Sequence, residues 1–159
     1  MTDMQLFWKN LLFTLIVPGT VAVYIPLFIA RRVSALWRTD VASVVGLILV
    51  ALGAGLYLWC LQEFATTGRG TPAPTDAPTR LVMRGPYQYV RNPMYVTVVV
   101  TIVGWSVAFL LPLLLIYAAA VAAVFHLFVV FYEEPALSRQ FGEDYEQYVN
   151  LVNRWVPWS

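Results

Sequence analysis

Two short polar segments contain the residues in this chain whose types and spacing could do chemistry. The first, Arg84–Tyr95, reads R-G-P-Y-Q-Y-V-R-N-P-M-Y and is rigid, basic and aromatic. The second begins with the adjacent carboxylates Glu133 and Glu134, which Pro135 follows. Because a residue before proline avoids helical geometry, we expect a bend here that starts a new helix. Two carboxylates on a bend can bind a ligand that is cationic or rich in hydroxyl donors, although the same residues also suit the solvated end of a helix.

Other residue patterns indicate what the chemistry is not. His126 is the single histidine and lies seven residues before Glu133, two helical turns away on the same face. A metal site needs more ligands than this, so His126 either hydrogen-bonds within a helical bundle or belongs to the site. The single cysteine, Cys60, excludes an internal disulfide and a cysteine-based zinc site. The string G-R-G-T-P-A at 68–73 follows no strand and does not indicate dinucleotide binding, which leaves Gly70 as a candidate in a flexible turn near a ligand.

Composition decides the class of protein that must position these segments. The chain has 159 residues, of which 60% are hydrophobic and 12% charged, against roughly 45–50% and about 25% in soluble domains. A soluble protein of this size could not bury so much apolar surface. We therefore predict an all-α integral membrane protein with a single domain, residues 1–159. Its net charge of +1 gives no indication of nucleic-acid binding.

Four apolar stretches predict transmembrane helices, since about 20 residues are needed to cross the hydrocarbon core. The predicted spans are 10–30, 41–61, 93–110 and 113–132. Pro112 divides the long run from Pro93 to Tyr132, because proline breaks a helix, so the last two spans form a tight hairpin. In the second span, small residues predict close helix contact at Gly46, Gly53 and the pair Ala51/Gly55.

The polar chemistry lies in a loop, 62–92, and in the C-terminal residues 133–159. The loop is rich in proline and glycine, so we expect it to be irregular but structured. Within residues 133–159, the spacing of Tyr145, Tyr148, Val149 and Val152 predicts an amphipathic helix at the membrane interface. Trp155 and Trp158 also suit such an interface.

The distribution of basic residues predicts the orientation in the membrane. With four spans, both termini, the 62–92 loop and residues 133–159 share one side. The seven basic residues on that side are Lys9, Arg69, Arg80, Arg84, Arg91, Arg139 and Arg154. The other side has three, Arg31, Arg32 and Arg38. The side with seven should be cytoplasmic.

Taken together, the two polar segments resemble a known family. G-P-Y-Q-Y-V-R-N-P-M-Y, a hydrophobic hairpin, Y-E-E-P-A-L, F-G-E-D-Y-E-Q-Y and a closing arginine-aromatic-proline segment are similar to membrane methyltransferases. That group includes isoprenylcysteine carboxyl methyltransferases and phosphatidylethanolamine N-methyltransferases. The resemblance extends from Gly68 to Pro157, in the same order along the chain.

The resemblance implies a cytosol-facing pocket for S-adenosylmethionine and a lipophilic substrate that enters from the bilayer. The positions it implies for the cofactor, with His126 added from its place in the last span, are Gly70, Gly85, Pro86, Tyr87, Arg91, Asn92, Pro93, Tyr95, His126, Glu133 and Glu134. Elementary chemistry agrees with this. Prolines reduce the entropy lost on binding, tyrosine faces attract a sulfonium cation, and carboxylates accept from amino and hydroxyl groups. No metal is implied.

The choice of methyl acceptor depends on where the chain departs from each relative. Isoprenylcysteine enzymes have histidine in place of Asn92 and an R-V-P segment where this chain has Leu-Val-Asn at 151–153. The arginine of that segment would bind the substrate carboxylate, and in this chain Arg154 could substitute for it. The strings N-P-M-Y and Y-E-E-P resemble phosphatidylethanolamine methyltransferases, which favours a phospholipid amine over a prenyl-cysteine carboxylate. Methyl transfer is an in-line displacement that relies on positioning, and an amine needs one deprotonation, for which Glu134 or a tyrosine is a candidate. The alternative of a different class is a non-enzymatic membrane carrier.

Overall fold

The computed structural model describes residues 3–35, 39–68 and 80–157, and these residues form helices and no strands. The α-helices are α1 (Asp3–Ile16), α2 (Ile25–Arg32), α3 (Val41–Glu63), α4 (Pro93–Phe109), α5 (Leu113–Phe128), α6 (Glu134–Phe141) and α7 (Glu143–Leu151). Wider π-helical turns extend three of them, at Thr20–Tyr24, Phe64–Gly68 and Val129–Glu133, and a 3₁₀ turn covers Gly85–Gln88. Gly70, Arg38, Arg69 and Trp158, which the sequence analysis used, lie outside the described residues.

Three helices in the described part of the chain are long and apolar enough to cross a membrane: Trp8–Arg32, Val41–Gly68 and Leu113–Phe141. The third predicted span, 93–110, is the apolar helix Pro93–Phe109, whose 17 residues are fewer than the about 20 that cross the hydrocarbon core. The second predicted span, 41–61, lies within a helix that continues to Gly68, and the last, 113–132, lies within a helix that continues to Phe141, each through a π-helical turn. Where these helices enter and leave the membrane stays a prediction.

The predicted bend at the two carboxylates is wrong. Glu134 has helical backbone angles, φ −61° and ψ −45°, and the helix runs through it. Pro135 lacks an amide hydrogen and its ring would clash with the carbonyl one turn earlier in a regular α-helix. The π-helical turn Val129–Glu133 lies in that preceding turn and widens it, so the helix continues. Pro26 follows the π-helical turn Thr20–Tyr24 in the same way.

Glycines bring α3 and α4 into close contact. A Cβ atom at Gly46 would lie 2.6 Å from the carbonyl oxygen of Gly104, and one at Gly53 would lie 2.3 Å from the Thr101 hydroxyl oxygen. Any larger side chain at these two positions would push the helices apart, which confirms their predicted role. Gly55 has no atom of the described residues within 4 Å of an added Cβ, so the contact predicted through the pair Ala51/Gly55 stays a prediction. The close contact fixes the start of α4, and thus Tyr95, relative to α3.

The predicted hairpin is present between α4 and α5. Leu110 adopts left-handed backbone angles, φ 49° and ψ 42°, and ends α4. The Ser106 hydroxyl donates to the Leu111 carbonyl at 2.9 Å, which satisfies a backbone acceptor inside the turn. Pro112 then precedes the first residue of α5. The hairpin places α4 and α5 side by side with their polar ends together.

The C-terminal helices pack on the chain itself. Gly142, with φ +51°, separates α6 from α7. Tyr145 and Tyr148 are each 4% exposed and form a cluster with Val152, against which partly buried side chains pack: Leu81, Leu137, Phe141 and Val149. The apolar side of α7 is therefore covered by protein, and its predicted position at the membrane interface stays a prediction.

Candidate functional site

An ion-pair cluster links α6 to the C-terminal end. Nε and Nη2 of Arg154 donate to the two carboxylate oxygens of Glu134 at 2.7 and 2.8 Å. Nη1 of Arg91 lies 3.3 Å from the same carboxylate. The hydrogen bonds to Glu134 raise the pKa of Arg154 above its ordinary value. One carboxylate thus holds two guanidinium groups from segments far apart in sequence.

Two hydrogen bonds tie residues 152–157, the C-terminal segment, to the start of α4. The Arg91 amide donates to the Asn153 carbonyl at 2.8 Å, and Nδ2 of Asn92 donates to the Arg154 carbonyl at 3.3 Å. Asn92 is 7% exposed, so its side chain lies inside this junction. Pro93 follows as the first residue of α4. These residues hold the C-terminal segment next to Tyr95.

The second carboxylate has a different environment. The Tyr95 hydroxyl donates to Glu133 at 2.6 Å, and among the described residues Glu133 forms no ion pair. Tyr95 lies in the first turn of α4, and Glu133 ends the π-helical turn after α5. Adjacent glutamates therefore have separate roles, because the helix directs one towards the arginines and the other towards Tyr95.

A groove lies between α4 and α5 and has a volume of about 280 Å³. Its walls are almost entirely apolar, with Tyr95, His126 and Trp155 at one end; the lining residues are Tyr95, Val96, Val99, Val100, Ala122, Phe125, His126 and Trp155. We call it the α4–α5 groove. Because both helices are apolar, the groove can hold a hydrocarbon chain from the surrounding bilayer.

Trp155 closes the polar end of the α4–α5 groove. Its indole N–H donates to Nδ1 of His126 at 3.2 Å. Its ring centroid lies 6.4 Å from that of Tyr95, with the ring planes 68° apart. Phe125 packs on Tyr95, with ring centroids 4.6 Å apart. His126, predicted near the site from its spacing to Glu133, therefore lies at the groove mouth.

The turn Gly85–Tyr87 packs against the end of α3 and away from the groove. Gly85 has φ +58°, and an added Cβ would lie 2.9 Å from Cγ of Glu63 and 3.0 Å from Nε1 of Trp59. Tyr87 is buried beside Cys60, and burial, followed by the charges of Cys60 and Glu133, raises its pKa well above the ordinary value. Its carbonyl accepts from the Tyr148 hydroxyl at 2.5 Å. Gly85, Pro86 and Tyr87 thus anchor the segment that carries Arg91.

Sequence reasoning missed three residues around the site. Trp155 was predicted only as an interface residue, although its place beside Arg154 in the closing arginine-aromatic-proline segment was a usable signal. Phe125 is hidden within an apolar run and gives no sequence signal. Glu63 is a charged residue immediately after a predicted span, and its carboxylate accepts from the Thr67 hydroxyl at 3.2 Å beside Gly85.

Comparison with models of known protein families identifies the family of this chain. The model of the phospholipid methyltransferase family matches residues 41–144, more than half of the chain. This range includes Arg91, Tyr95 and both glutamates, whereas Arg154 and Trp155 lie beyond it. No curated protein matches the chain. The predicted resemblance to membrane methyltransferases is confirmed, and the chain belongs to the phospholipid methyltransferase family of integral membrane proteins.

Proposed function

We propose that this protein transfers a methyl group from S-adenosylmethionine to the amine headgroup of a phospholipid. The observation that carries the proposal is the Tyr95–Glu133 hydrogen bond at the polar end of the α4–α5 groove. A polar pair at the mouth of an apolar groove suits a molecule with a reactive head and a hydrocarbon tail. The family match supports methyl transfer to such a molecule.

The residues present fit the proposed methyl donor. Arg91 is 10% exposed, and its Nε is buried with no hydrogen-bond acceptor among the described residues. An unpaired buried donor is costly, and the carboxylate of S-adenosylmethionine would satisfy it. When bound, the donor supplies a methyl group activated by its positive sulfur. Arg91, Tyr95 and Glu133 would hold it, while Asn92 and Pro93 support this wall of the site and Gly70 stays a prediction.

The tail of the acceptor would occupy the α4–α5 groove. Its volume of about 280 Å³ is just below the range of small-molecule sites, roughly 300–1,000 Å³. The groove therefore suits part of one chain, with the rest remaining in the bilayer. Entry from the membrane brings the headgroup to Tyr95 without passage of the lipid through water.

The two glutamates are not equivalent candidates for the proton acceptor. Both oxygens of Glu134 already accept hydrogen bonds from Arg154, and one also faces Arg91. This leaves Glu134 poorly placed to accept a proton, so we assign that role to Glu133 instead. The same ion pair occupies Arg154, which was the candidate to bind a substrate carboxylate. Its occupation favours an amine acceptor over a prenyl-cysteine carboxylate.

We further propose that the site and both termini face the cytoplasm, as the excess of basic residues on that side favours. A reporter that works only in the cytoplasm, fused after Ser159, should be active. Activity of a reporter that works only outside the cytoplasm would overturn the orientation.

The function is tested by incubating membranes that contain the protein with a methyl-labelled donor, followed by lipid extraction. We expect label in amine phospholipids from wild-type membranes and little from Glu133→Gln membranes. Arg139→Ala, an exposed position on α6, serves as the matched control. Label in a prenylated peptide carboxylate and not in lipid would contradict the amine assignment. No transfer to any acceptor by protein shown to be folded would favour the carrier alternative.

A further inference from the structure

Aromatic rings meet at the mouth of the α4–α5 groove. Tyr95 and Trp155 both line the groove and have ring centroids 6.4 Å apart, with planes 68° apart. A cation in this corner can lie within about 6 Å of both centroids, the distance over which aromatic faces attract positive charge. Phe125 supports the Tyr95 ring, and His126 orients the indole through its hydrogen bond.

The charges around this corner favour a cation. Glu133 lies one hydrogen bond from Tyr95 and, among the described residues, forms no ion pair. The guanidinium group of Arg154 binds Glu134, and Nη1 of Arg91 lies 3.3 Å from the same carboxylate, whereas the buried Nε of Arg91 has no acceptor among the described residues. A negatively charged ligand group in the corner would therefore meet the carboxylate of Glu133, whereas an ammonium group would meet that carboxylate and the rings of Tyr95 and Trp155.

We propose that Tyr95 and Trp155 form the subsite for the ammonium group of the acceptor lipid, with His126 as the residue that positions the indole. The proposed subsite rests on the proposed function for the identity of the acceptor. It includes Trp155, which lies outside the family match, because that match ends at residue 144. The subsite makes Trp155 a specificity-determining residue that distinguishes cationic from neutral headgroups.

The test measures binding and requires no methyl transfer. One probe is a short-chain phosphatidylcholine, whose quaternary ammonium cannot be methylated further. The other is the same lipid with the quaternary nitrogen replaced by carbon, which keeps the shape and removes the charge. Calorimetric titration in a neutral detergent gives the affinity ratio. We expect wild type to prefer the cationic lipid by about 5-fold to 30-fold, the usual strength of a cation–aromatic contact at a partly desolvated site.

Variants separate the aromatic face from the hydrogen bond. Trp155→Leu should remove most of the preference while retaining affinity for the neutral lipid. Trp155→Phe should retain part of it. His126→Asn, which keeps an acceptor near Nδ1, should preserve the preference better than His126→Leu. Trp105→Leu alters a tryptophan near the other end of α4, stacked on Phe109, and should leave the ratio unchanged.

Several results would overturn the subsite. One is equal affinity of wild type for the two lipids, and another is a full preference in Trp155→Leu. If Trp155→Leu does not fold, the subsite is refuted when both Trp155→Phe and His126→Leu show the same affinity ratio for the two lipids as the wild type. The methyl donor is also a cation, so its affinity is compared with that of its neutral thioether product. A loss of that preference in Trp155→Leu, with the lipid ratio intact, would assign the corner to the donor and contradict the proposal.

Failure of the subsite and failure of the function are distinguishable. Wild type that discriminates the lipids but methylates nothing would retain the subsite and refute the function. Wild-type protein that methylates amine lipids but binds the cationic and the neutral lipid equally would retain the function and refute the subsite.

Discussion

The ion pair between Arg154 and Glu134 should account for much of the attachment of the C-terminal segment. Replacing Arg154 with alanine removes two charge-assisted hydrogen bonds, at 2.7 and 2.8 Å, from a carboxylate whose side chain is 18% exposed. Each such bond contributes about 1.5–3 kcal/mol. The Arg154 side chain is 31% exposed, and Arg91 remains 3.3 Å from the carboxylate after the substitution. The loss in free energy of unfolding should therefore be closer to the contribution of one such hydrogen bond than of two. We expect a coupling free energy of about 1.5–3 kcal/mol.

A double-mutant cycle measures this coupling. The variants are Arg154→Ala, Glu134→Gln and the double substitution, and the free energy of unfolding is measured in mixed micelles by titration with a denaturing detergent. Arg154→Lys should recover only part of the loss, since lysine cannot bind both carboxylate oxygens in parallel. Arg139→Ala is the control for loss of a basic residue. A coupling below about 0.5 kcal/mol, typical of a solvent-exposed pair, would refute the reasoning.

Three further predictions concern other parts of the site. Glu133→Gln should lower the rate of methyl transfer to amine lipids by about 100-fold, measured as initial rates with labelled donor, since it removes the proton acceptor; an unchanged rate would exclude that role. Gly85→Ala should destabilise the fold by about 1–3 kcal/mol in the same micelle titration, because φ is +58° and the new Cβ would lie 2.9 Å from Glu63; wild-type stability would show that the turn adapts freely. Burial is the largest of the effects that raise the pKa of Tyr145 from 10.0 to about 12, so the folded state keeps a proton that the unfolded state releases. The contribution of the protonated Tyr145 side chain to stability should be complete below pH 10 and lost as the pH rises towards 12. Tyr145→Phe should therefore reduce the fall in the free energy of unfolding between pH 10 and pH 12.

The membrane helices could be predicted from the sequence because hydropathy is a local property. Unbroken apolar stretches located α3 and the α4–α5 hairpin, and Pro112 located the turn. The bend at Pro135 was predicted wrongly from an equally local rule, since a π-helical turn in the preceding residues accommodates the proline. Such a turn depends on how the helix packs, which spacing alone does not reveal.

The candidate site was predictable in its residue types and only partly in its pairing. Glu133 and Glu134 were both identified, yet neighbours in sequence bind different partners: a tyrosine 38 residues away and an arginine 20 residues away. Those pairings follow from the packing of the helices and the C-terminal segment. Trp155 became part of the groove for the same reason, because Arg91 and Asn92 hold its backbone in place.

The unbroken helix from Leu113 through Glu133 has a consequence for where methyl transfer can take place along the membrane normal. Glu133 lies 20 residues beyond Leu113 on one uninterrupted helical rod, about 30 Å at 1.5 Å per residue, which equals the thickness of the hydrocarbon core. If the hairpin turn lies at one membrane boundary, the carboxylate would lie at the level of the headgroups on the opposite side. The length of this helix would therefore set the depth of the site in the bilayer, and methyl transfer should be fastest in bilayers whose thickness places the lipid amine level with Tyr95.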